Sequence, residues 1–405
     1  MTLTVDHVGH RGDGVAYADG EPVYLPNTLA GEVVDAAVSG SRGQVTGLVA
    51  SSPHRVEPVC SHFDVCGGCA LQHMATDDYV DWKRQRVVDG LTRVGLAVPV
   101  DPLQTFPVAS RRRAVFTLAR QGRDPTLGFH ARASDQPVSL VECPILVSAI
   151  GAQLNGLRAM LAGFAPSHGV ATATVLATET GLDVSIEGGT TPDPGRTAIV
   201  FDRAGPIGVA RLSVNGEFVL QRATPILRFD GVPVIPPPGG FVQASEAAQI
   251  AMTMAVTSAL EGARRVADLY SGSGTFTLPL AKTARVLAFE SDRAALAALE
   301  AAARTPGLKQ VEAARRDLER EPVTAPELKK IDGLVFDPPR AGARAQATEI
   351  AASAVPRVVA VSCNPATFAR DAQILVDGGY TLSRVTPVDQ FRFAPHIEII
   401  AVFQR

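Results

Sequence analysis

The chain has 405 residues, of which 46% are hydrophobic and 20% are charged, which is enough for two or three domains with substantial cores. This composition excludes a fibre, a disordered tail and a small disulfide scaffold. The N-terminus lacks the basic start and apolar core of a signal peptide, and no apolar run reaches the ~20 residues of a membrane helix. We therefore expect a cytoplasmic protein with no membrane partner and no evident obligate protein partner, in which clustered cysteines bind metal more often than they form disulfides.

Residues 1–55 contain five short β-branched or apolar runs, which glycine, aspartate and asparagine turns separate. Runs of this length and spacing predict a small all-β barrel of the OB/TRAM type, a fold that binds oligonucleotides. The predicted strands are LTVDHV, GVAY, PVYLP, EVVDAAV and GQVTGLV.

Residues 56–235 are predicted to form a central α+β domain, which begins with a cysteine run, C-x5-C-G-G-C-x2-Q-H. Cys60, Cys66 and Cys69 belong to this run, and Cys143 follows 74 positions after Cys69. Four thiolates can hold a [4Fe–4S] cluster or a tetrahedral zinc ion. Zinc is the more frequent metal, whereas the lack of two paired CxxC knuckles and the proline after the fourth cysteine favour iron–sulfur. The residues alone leave both metals open.

Positive charge is concentrated in one stretch of this central region, although the whole chain has a formal net charge of −3. Between residues 82 and 132 the balance of Lys and Arg against Asp is 10 − 3 = +7. Such a stretch predicts contacts with phosphates, above all from the run Arg111–Arg113, or else a solvated helix face. The ten cations are Lys83, Arg84, Arg86, Arg93, Arg111, Arg112, Arg113, Arg120, Arg123 and Arg132.

A proline- and glycine-rich linker at 236–240 predicts a domain boundary, after which strand-like and helix-like segments alternate to residue 405. Alternation of this kind predicts an α/β domain with a parallel, doubly wound sheet of the Rossmann type. In VADLYSGSGTF, a strand ends at Asp268 and turns through Gly272 and Gly274 into a helix. Glu290 ends the next strand, 22 positions after Asp268, where a carboxylate can hold ribose hydroxyls. The third glycine of a dinucleotide fingerprint is missing, so S-adenosylmethionine fits better than a dinucleotide.

Three further strand ends carry polar or nucleophilic side chains. Asp317 would face the adenine at the end of the third strand, and Asp337 ends the fourth in VFDPPRAG. Cys363 follows the apolar run RVVAVS and precedes Asn364 and Pro365, which would open a helix. At this open edge we expect an exposed thiol with a lowered pKa, because a helix N-terminus favours the thiolate.

Together these motifs resemble the class I uridine-C5 RNA methyltransferases, in particular the 23S ribosomal RNA branch that carries an iron–sulfur cluster. The resemblance covers nearly the whole chain. It implies an RNA-binding barrel at 1–55, a central domain at 56–235 with [4Fe–4S] on the four clustered cysteines, and an S-adenosylmethionine-dependent domain at 236–405. The matching motifs are the cysteine run, FVQ at Gln243, DLYSGSGTF, DPPRAG, SCNPATFARD and the HIE that contains Glu398.

The resemblance also implies a role for each matching residue. Cys363 would be the nucleophile and Glu398 the base, while Thr275 stands where the family often has asparagine. The substrate would be RNA, by resemblance 23S rRNA. The implied donor contacts are Gln243, Tyr270, Glu290, Asp337 and Thr275.

The chemistry of uracil makes independent sense of a thiol and a carboxylate. Because C5 is a poor nucleophile, a thiolate must first add to C6 so that C5 can attack a methyl group. A base such as Glu398 must then remove the C5 proton before the thiolate leaves. The uridine has to lie outside any helical stack for this to happen.

Three alternatives remain on the sequence. A transfer RNA uridine-C5 methyltransferase would use the same residues. An amino-group methyltransferase is suggested by Asp-Pro-Pro but needs no thiol. A non-catalytic iron–sulfur RNA-binding or electron-transfer protein would leave Cys363 and Glu398 unexplained.

Overall fold

The computed structural model describes residues 1–122, 124–191 and 194–405. Its first five strands form a closed barrel. The barrel core contains Leu3, Val5, Val23 and Leu25, because alternate side chains of each strand point inward. This confirms the predicted N-terminal β-barrel. Its strands are β1 (Thr2–Val8), β2 (Gly14–Ala18), β3 (Glu21–Leu25), β4 (Val33–Ser39) and β5 (Arg42–Ala50), in the order β1-β2-β3-β5-β4.

The central region consists of a long helix, α1 (Thr76–Arg93), and a seven-stranded sheet in the order β12-β11-β10-β9-β6-β7-β8. Short helices cover the sheet and enclose a core of aliphatic and aromatic side chains. The strands are β6 (Arg113–Gln121), β7 (Asp124–His130), β8 (Pro137–Ser139), β9 (Val170–Thr178), β10 (Gly181–Glu187), β11 (Val209–Val214) and β12 (Glu217–Gln221). The helices are α2 (Ser148–Gly151), α3 (Leu154–Leu161) and α4 (Pro194–Ala204), with a 3₁₀ turn at Ala162–Phe164.

Two segments that precede the predicted boundary pack against the C-terminal region. The hairpin of β13 (Leu227–Phe229) and β14 (Val232–Val234) shares a core cluster with Leu296 and Leu299. The division at 55 and 235 stays a prediction, because contacts of this kind cross the second boundary.

Helix α1 makes the second such contact. Val87 and Leu91 on its inner face share a core with Leu334 and Phe336 of the C-terminal sheet. Gly90 lies so close to the carbonyl of Pro365 that an added Cβ would come within 3.0 Å of it. The close approach joins α1 directly to the start of the helix that follows Cys363.

The C-terminal sheet has seven strands in the order β17-β16-β15-β18-β19-β21-β20, of which β21 runs antiparallel to both neighbours. This confirms the predicted α/β fold. The strands are β15 (Arg265–Leu269), β16 (Arg285–Glu290), β17 (Val311–Arg315), β18 (Gly333–Phe336), β19 (Arg357–Ser362), β20 (Thr381–Val388) and β21 (Glu398–Gln404). The helices are α5 (Glu246–Ala259), α6 (Thr277–Leu280), α7 (Arg293–Ala302), α8 (Arg344–Ala352) and α9 (Pro365–Asp377), with a 3₁₀ turn at Glu327–Lys330.

The direction of β21 is what assembles the site. Parallel strands bring their carboxyl ends to one edge of the sheet, whereas an antiparallel strand brings its first residue there. Ser362 at the end of β19 pairs with Ile399, so Glu398 at the start of β21 lies beside Cys363. None of the described helices is long and apolar enough to span a bilayer.

Candidate active site

Cys363 lies between the end of β19 and the start of α9. Asn364 caps this helix by accepting from the Ala366 N–H at 3.1 Å, and Pro365 occupies the first turn, as the sequence predicts. The predicted exposure and lowered pKa of the thiol are wrong for the free enzyme. Cys363 is half-buried, and burial, followed by the charges of Glu398 and Asp337, raises its pKa to about 11. Burial and the nearby carboxylates together therefore outweigh the helix N-terminus.

A chain of hydrogen bonds joins the two carboxylates beside the thiol. Gln390 donates from Nε2 to Glu398 Oε1 at 2.8 Å and to Gln243 Oε1 at 2.7 Å. Gln243 in turn donates from Nε2 to Asp337 Oδ2 at 3.2 Å. The Ala244 N–H donates to Gln390 Oε1 at 3.0 Å, which fixes the orientation of that amide. Two amides therefore position two carboxylates.

Both carboxylates have raised pKa values. Burial, followed by the charge of Asp337, raises the pKa of Glu398 to about 8. Burial raises the pKa of Asp337 to about 7, and the Gln243 hydrogen bond opposes that rise. A carboxylate whose pKa lies near neutrality can accept a proton and release it again, which is the property of a general base.

The expected donor pocket lies at the ends of β15 and β16. Glu290 accepts from the Gly272 N–H at 2.8 Å and from the Asp292 N–H at 2.7 Å. Gly272 has φ +54 and nothing within 4 Å of where a Cβ would lie, so the backbone there is open to a ligand. Tyr270 also has a positive φ, of 64°.

Several buried polar atoms in this pocket have no partner in the part of the chain that the structure describes. They are the hydroxyls of Tyr270, Ser271 and Ser273. Buried polar groups are normally hydrogen-bonded, so unsatisfied ones beside an open backbone fit a polar ligand such as S-adenosylmethionine. The sequence analysis did not single out Ser271 or Ser273 as contacts.

The remaining predicted donor residues differ in their access to a ligand. Asp268 is wholly buried and accepts from the Thr277 hydroxyl at 2.5 Å; burial raises its pKa to about 7. It therefore lies behind the pocket. Gly274 has φ +98 and a Cβ there would clash with Leu299. Thr275 is half-buried, whereas Asp317 is exposed, lies two positions after β17 and pairs with Arg320 at 3.5 Å.

The four clustered cysteines line one small cavity together. All are free thiols, and burial together with neighbouring thiols raises the pKa of Cys69 to about 11 and that of Cys143 to about 12. Four thiols around a shared cavity suit the donor set of an iron–sulfur cluster or of zinc. Cys60 also belongs to a group with His62 and Glu142 whose ligand atoms lie within 4.8 Å of one another.

Comparison with known proteins identifies this arrangement. The family model of tRNA (uracil-5-)-methyltransferases matches residues 237–405. An RNA methyltransferase of Rhizobium meliloti is 46% identical over 100% of this chain and 99% of its own length. The 23S rRNA (uracil(1939)-C(5))-methyltransferase RlmD of Vibrio vulnificus is 30% identical over 100% of this chain and 96% of its own length. The chain belongs to the uracil-C5 RNA methyltransferase family.

Membership confirms the resemblance seen in the sequence, and the chain is accordingly an S-adenosylmethionine-dependent RNA methyltransferase. A solved relative, the tRNA (uracil-54, C5)-methyltransferase of Pyrococcus abyssi in complex with S-adenosyl-L-homocysteine, superposes with a TM-score of 0.76. The two are 23% identical, each is covered over 100% of its length, and the likeness shows that they share a fold.

The arginine run that the sequence suggested for RNA binding has internal roles in this family member. Arg112 is buried and donates to the Gln243 carbonyl at 3.3 Å and to Gln249 Oε1 at 2.5 Å. Arg113 donates to the carbonyls of Gly239 and Gly240. The guanidinium carbon of Arg111 lies 5.7 Å from the centre of the Phe391 ring. Arg112 is therefore not accessible to a phosphate, whereas phosphate contact by the half-buried Arg111 and Arg113 stays a prediction. Arg112 and Arg113 hold the linker that carries Gln243.

Other members of the basic stretch are also bonded inside the protein. Arg84 donates to the carbonyls of Val100 and Asp101, and Arg132 donates to that of Cys69 at 2.8 Å. Arg93 and Arg120 are exposed. Arg123 lies outside the described residues.

Sequence reasoning missed the loop between β20 and β21, which carries Gln390 and leads to Glu398. Lys83 of α1 is fully buried and donates to Asp389 and to the carbonyls of Phe391 and His396. Because these partners are more than 300 positions apart, no local pattern in the sequence could have indicated them.

Proposed function

We propose that this enzyme methylates C5 of a uridine in 23S rRNA through a covalent bond between Cys363 Sγ and C6 of the base, with Glu398 as the base that removes the C5 proton. The observation that supports the proposal best is the position of a thiol and a proton-accepting carboxylate side by side at the sheet edge, next to the donor pocket.

The reaction follows from these two groups. The Cys363 thiolate forms a bond to C6, and the electron pair of the C5–C6 double bond moves into an enolate. Bound S-adenosylmethionine would supply an electrophilic methyl group: C5 bonds to it as the bond between the sulfonium sulfur and that methyl group breaks, and S-adenosylhomocysteine is the leaving group. Glu398 then takes the proton from C5, the C5–C6 double bond is restored and the C6–S bond breaks, which returns the thiolate.

The two residues should give opposite results when each is replaced. Cys363→Ala should bind RNA but form no covalent bond to it. Glu398→Gln should attach to the RNA and transfer the methyl group, yet stall before the proton leaves, and so accumulate an adduct that survives denaturing electrophoresis. Turnover by Cys363→Ala, or normal turnover by Glu398→Gln, would contradict the assigned roles. An amino-group methyltransferase would give no adduct with any variant.

The RNA substrate is the second part of the proposal. The relative from Vibrio vulnificus that covers the whole chain is named as a 23S rRNA methyltransferase, which supports ribosomal RNA. The matching family description and the Pyrococcus abyssi relative name transfer RNA, which keeps tRNA as the alternative. Mass spectrometry of nucleosides from separated rRNA and tRNA, with and without the gene, decides between them: loss of 5-methyluridine from tRNA alone would overturn the ribosomal assignment.

We also propose that the four clustered cysteines hold a [4Fe–4S] cluster, because their thiols surround one cavity. Anaerobically purified protein should then be brown and contain about four irons per chain. Cys363→Ala serves as the matched control, since it removes a thiol outside the cavity and should leave the iron content unchanged. A colourless protein with one zinc per chain would refute the cluster and favour the tetrahedral site.

A further inference from the structure

A pocket of about 200 Å³ opens beside Cys363, where three distant parts of the chain meet. The turn between β1 and β2 contributes Arg11, helix α1 contributes Arg86, and the segment after β18 contributes Arg340. His10 and His396 also line the pocket, and among the described residues no carboxylate does. Its wall is therefore cationic or neutral on every side.

Arg86 is the least expected member of this wall. Its Nε and Nη1 atoms are buried without a hydrogen-bond partner among the described residues. Arg84, two positions earlier on the same helix, bonds its guanidinium to backbone carbonyls. An unsatisfied buried donor is unfavourable in the free protein, so a partner that accepts from Arg86 would remove a cost already present.

Neighbouring aromatic and backbone contacts hold Arg86 in place. Its guanidinium carbon lies 5.1 Å from the centre of the Trp82 ring. The Trp82 indole donates from Nε1 to the Val8 carbonyl at 3.1 Å, which joins α1 to the barrel. The guanidinium is thus preorganised, and its free N–H groups are not the result of a mobile side chain.

The opposite wall is also preorganised and positive. Arg340 donates from Nη2 to His396 Nε2 at 3.2 Å, which requires that His396 be neutral. Burial, followed by Arg340 and Lys83, lowers the pKa of His396 to about 4. Burial, followed by Arg86 and Arg11, lowers the pKa of His10. Burial and the neighbouring arginines thus both disfavour a charged histidine in this pocket, and no carboxylate among the described residues lines it.

We propose that Arg86, Arg340 and Arg11 bind a phosphodiester group of the target uridine and so hold the extruded nucleotide against Cys363. This inference rests on the proposed function, because it names the part of the RNA that the site recognises. Phosphate contacts fix register without reading the base, and they help to offset the cost of unstacking. A binding site shared by the barrel and α1 also gives the N-terminal barrel a part in binding the substrate beside Cys363.

The charge of the pocket can be measured without RNA. Iodoacetate is anionic and iodoacetamide is neutral, yet both react with the same thiolate, so the ratio of their rates at Cys363 cancels any change in thiolate fraction. Labelling is quantified on the Cys363 peptide by mass spectrometry. In Arg86→Gln this ratio should fall by about fivefold, while Arg86→Lys should retain most of it.

Arg285→Gln is the matched control, because Arg285 is exposed at the start of β16, the opposite end of the strand from Glu290. It should leave the rate ratio unchanged. Arg340→Gln, on the exposed wall, provides a second variant should the loss of Arg86 impair folding, and it should also lower the ratio. Equal ratios in Arg86→Gln, Arg340→Gln and Arg285→Gln would overturn the proposal.

The second measurement uses unmodified total RNA from cells that lack the gene, with methyl transfer from labelled S-adenosylmethionine. Arg86→Gln should raise KM for RNA and reduce the slope of log KM against log salt by about one, with little change in kcat. A slope equal to that of Arg285→Gln would refute the phosphate contact. If the wild type formed no 5-methyluridine, the proposed function would fail, whereas the alkylation ratio would still test the anion pocket.

Discussion

The buried pair of Lys83 and Asp389 should hold the loop between β20 and β21 with a free energy far above that of a surface ion pair. Both side chains have 0% exposure, and the Lys83 ammonium has three acceptors. Asp389 also accepts from the Tyr79 hydroxyl at 2.7 Å. Lys83→Met keeps the side-chain length but leaves the buried Asp389 carboxylate without its cationic partner and removes the Lys83 donor from two carbonyls. Breaking a buried pair in this way costs about 3–5 kcal/mol.

The chain offers a matched control in a second lysine–aspartate pair. Lys282 and Asp230 lie 2.5 Å apart, but their side chains are 43% and 52% exposed. Exposed pairs contribute about 0–1 kcal/mol. Lys282→Met should therefore have little effect on stability, and the difference between the two variants isolates burial from the chemistry of the substitution.

Hydrogen exchange gives a local measure that does not require the whole chain to unfold in one step. The Phe393 N–H donates to the Tyr79 hydroxyl at 2.9 Å, and the Ala70 N–H donates to the Phe393 carbonyl at 2.8 Å. In Lys83→Met these two amides should exchange on the order of 100-fold faster or more, since each 1.4 kcal/mol is a factor of ten. Adding Asp389→Asn should restore part of the protection. Exchange no faster than in Lys282→Met would refute the reasoning.

Three further outcomes follow from the site. Burial raises the pKa of Glu398 to about 8, so its contribution to stability is fully present below the unfolded pKa of about 4.5 and is lost as pH rises through 8. In thermal melts across this range, the melting temperature of Glu398→Gln should therefore decline less with rising pH than that of the wild type. Gln390→Met should move the acidic limb of the pH–rate profile for C5-proton release to higher pH, because the Glu398 carboxylate loses a hydrogen-bond donor and its pKa rises further. Gln373→Met in α9, which bonds to Asp377 instead, should not move that limb. Glu290→Gln should weaken S-adenosylmethionine binding by about tenfold in calorimetry, as expected for the loss of a charge-assisted hydrogen bond, and exposed Glu312→Gln should leave it unchanged.

Those parts of the fold that follow from local pattern were predictable from the sequence. Alternating strands and helices indicated an α/β sheet, and short β-branched runs indicated the barrel. Cys363 and Glu290 were placed correctly at strand ends, because the end of an apolar run is visible in the sequence. The position of Glu398 beside Cys363 could not be predicted from local pattern alone, because it depends on the antiparallel direction of β21, which is a property of the sheet topology.

The parts that depend on distant contacts were not predictable. Gln390 bonds to Gln243 across 147 positions and looks like an ordinary polar loop residue in the sequence. The arginine run looked like a phosphate-binding surface because charge is visible in a sequence, whereas burial of Arg112 behind the linker is not. The prediction of a lowered thiol pKa failed for the same reason. The helix start is visible in the local sequence, whereas the burial of Cys363 and the two carboxylates that other strands bring to it are not.

The charges around Cys363 lead to one more prediction. Burial, followed by Glu398 and Asp337, raises the pKa of the Cys363 thiol, whereas Arg340 lowers it. Cys363 therefore lies between two carboxylates and a basic pocket. A cationic methyl donor suits the first and an anionic RNA strand suits the second, with the uracil ring between them. Binding a positive charge beside the carboxylates should offset their effect on the thiol. The pH midpoint of iodoacetamide labelling at Cys363 should therefore fall when S-adenosylmethionine is added. S-adenosylhomocysteine, which lacks the sulfonium charge, should lower it less, and equal midpoints with the two ligands would show that the donor's charge does not activate the nucleophile.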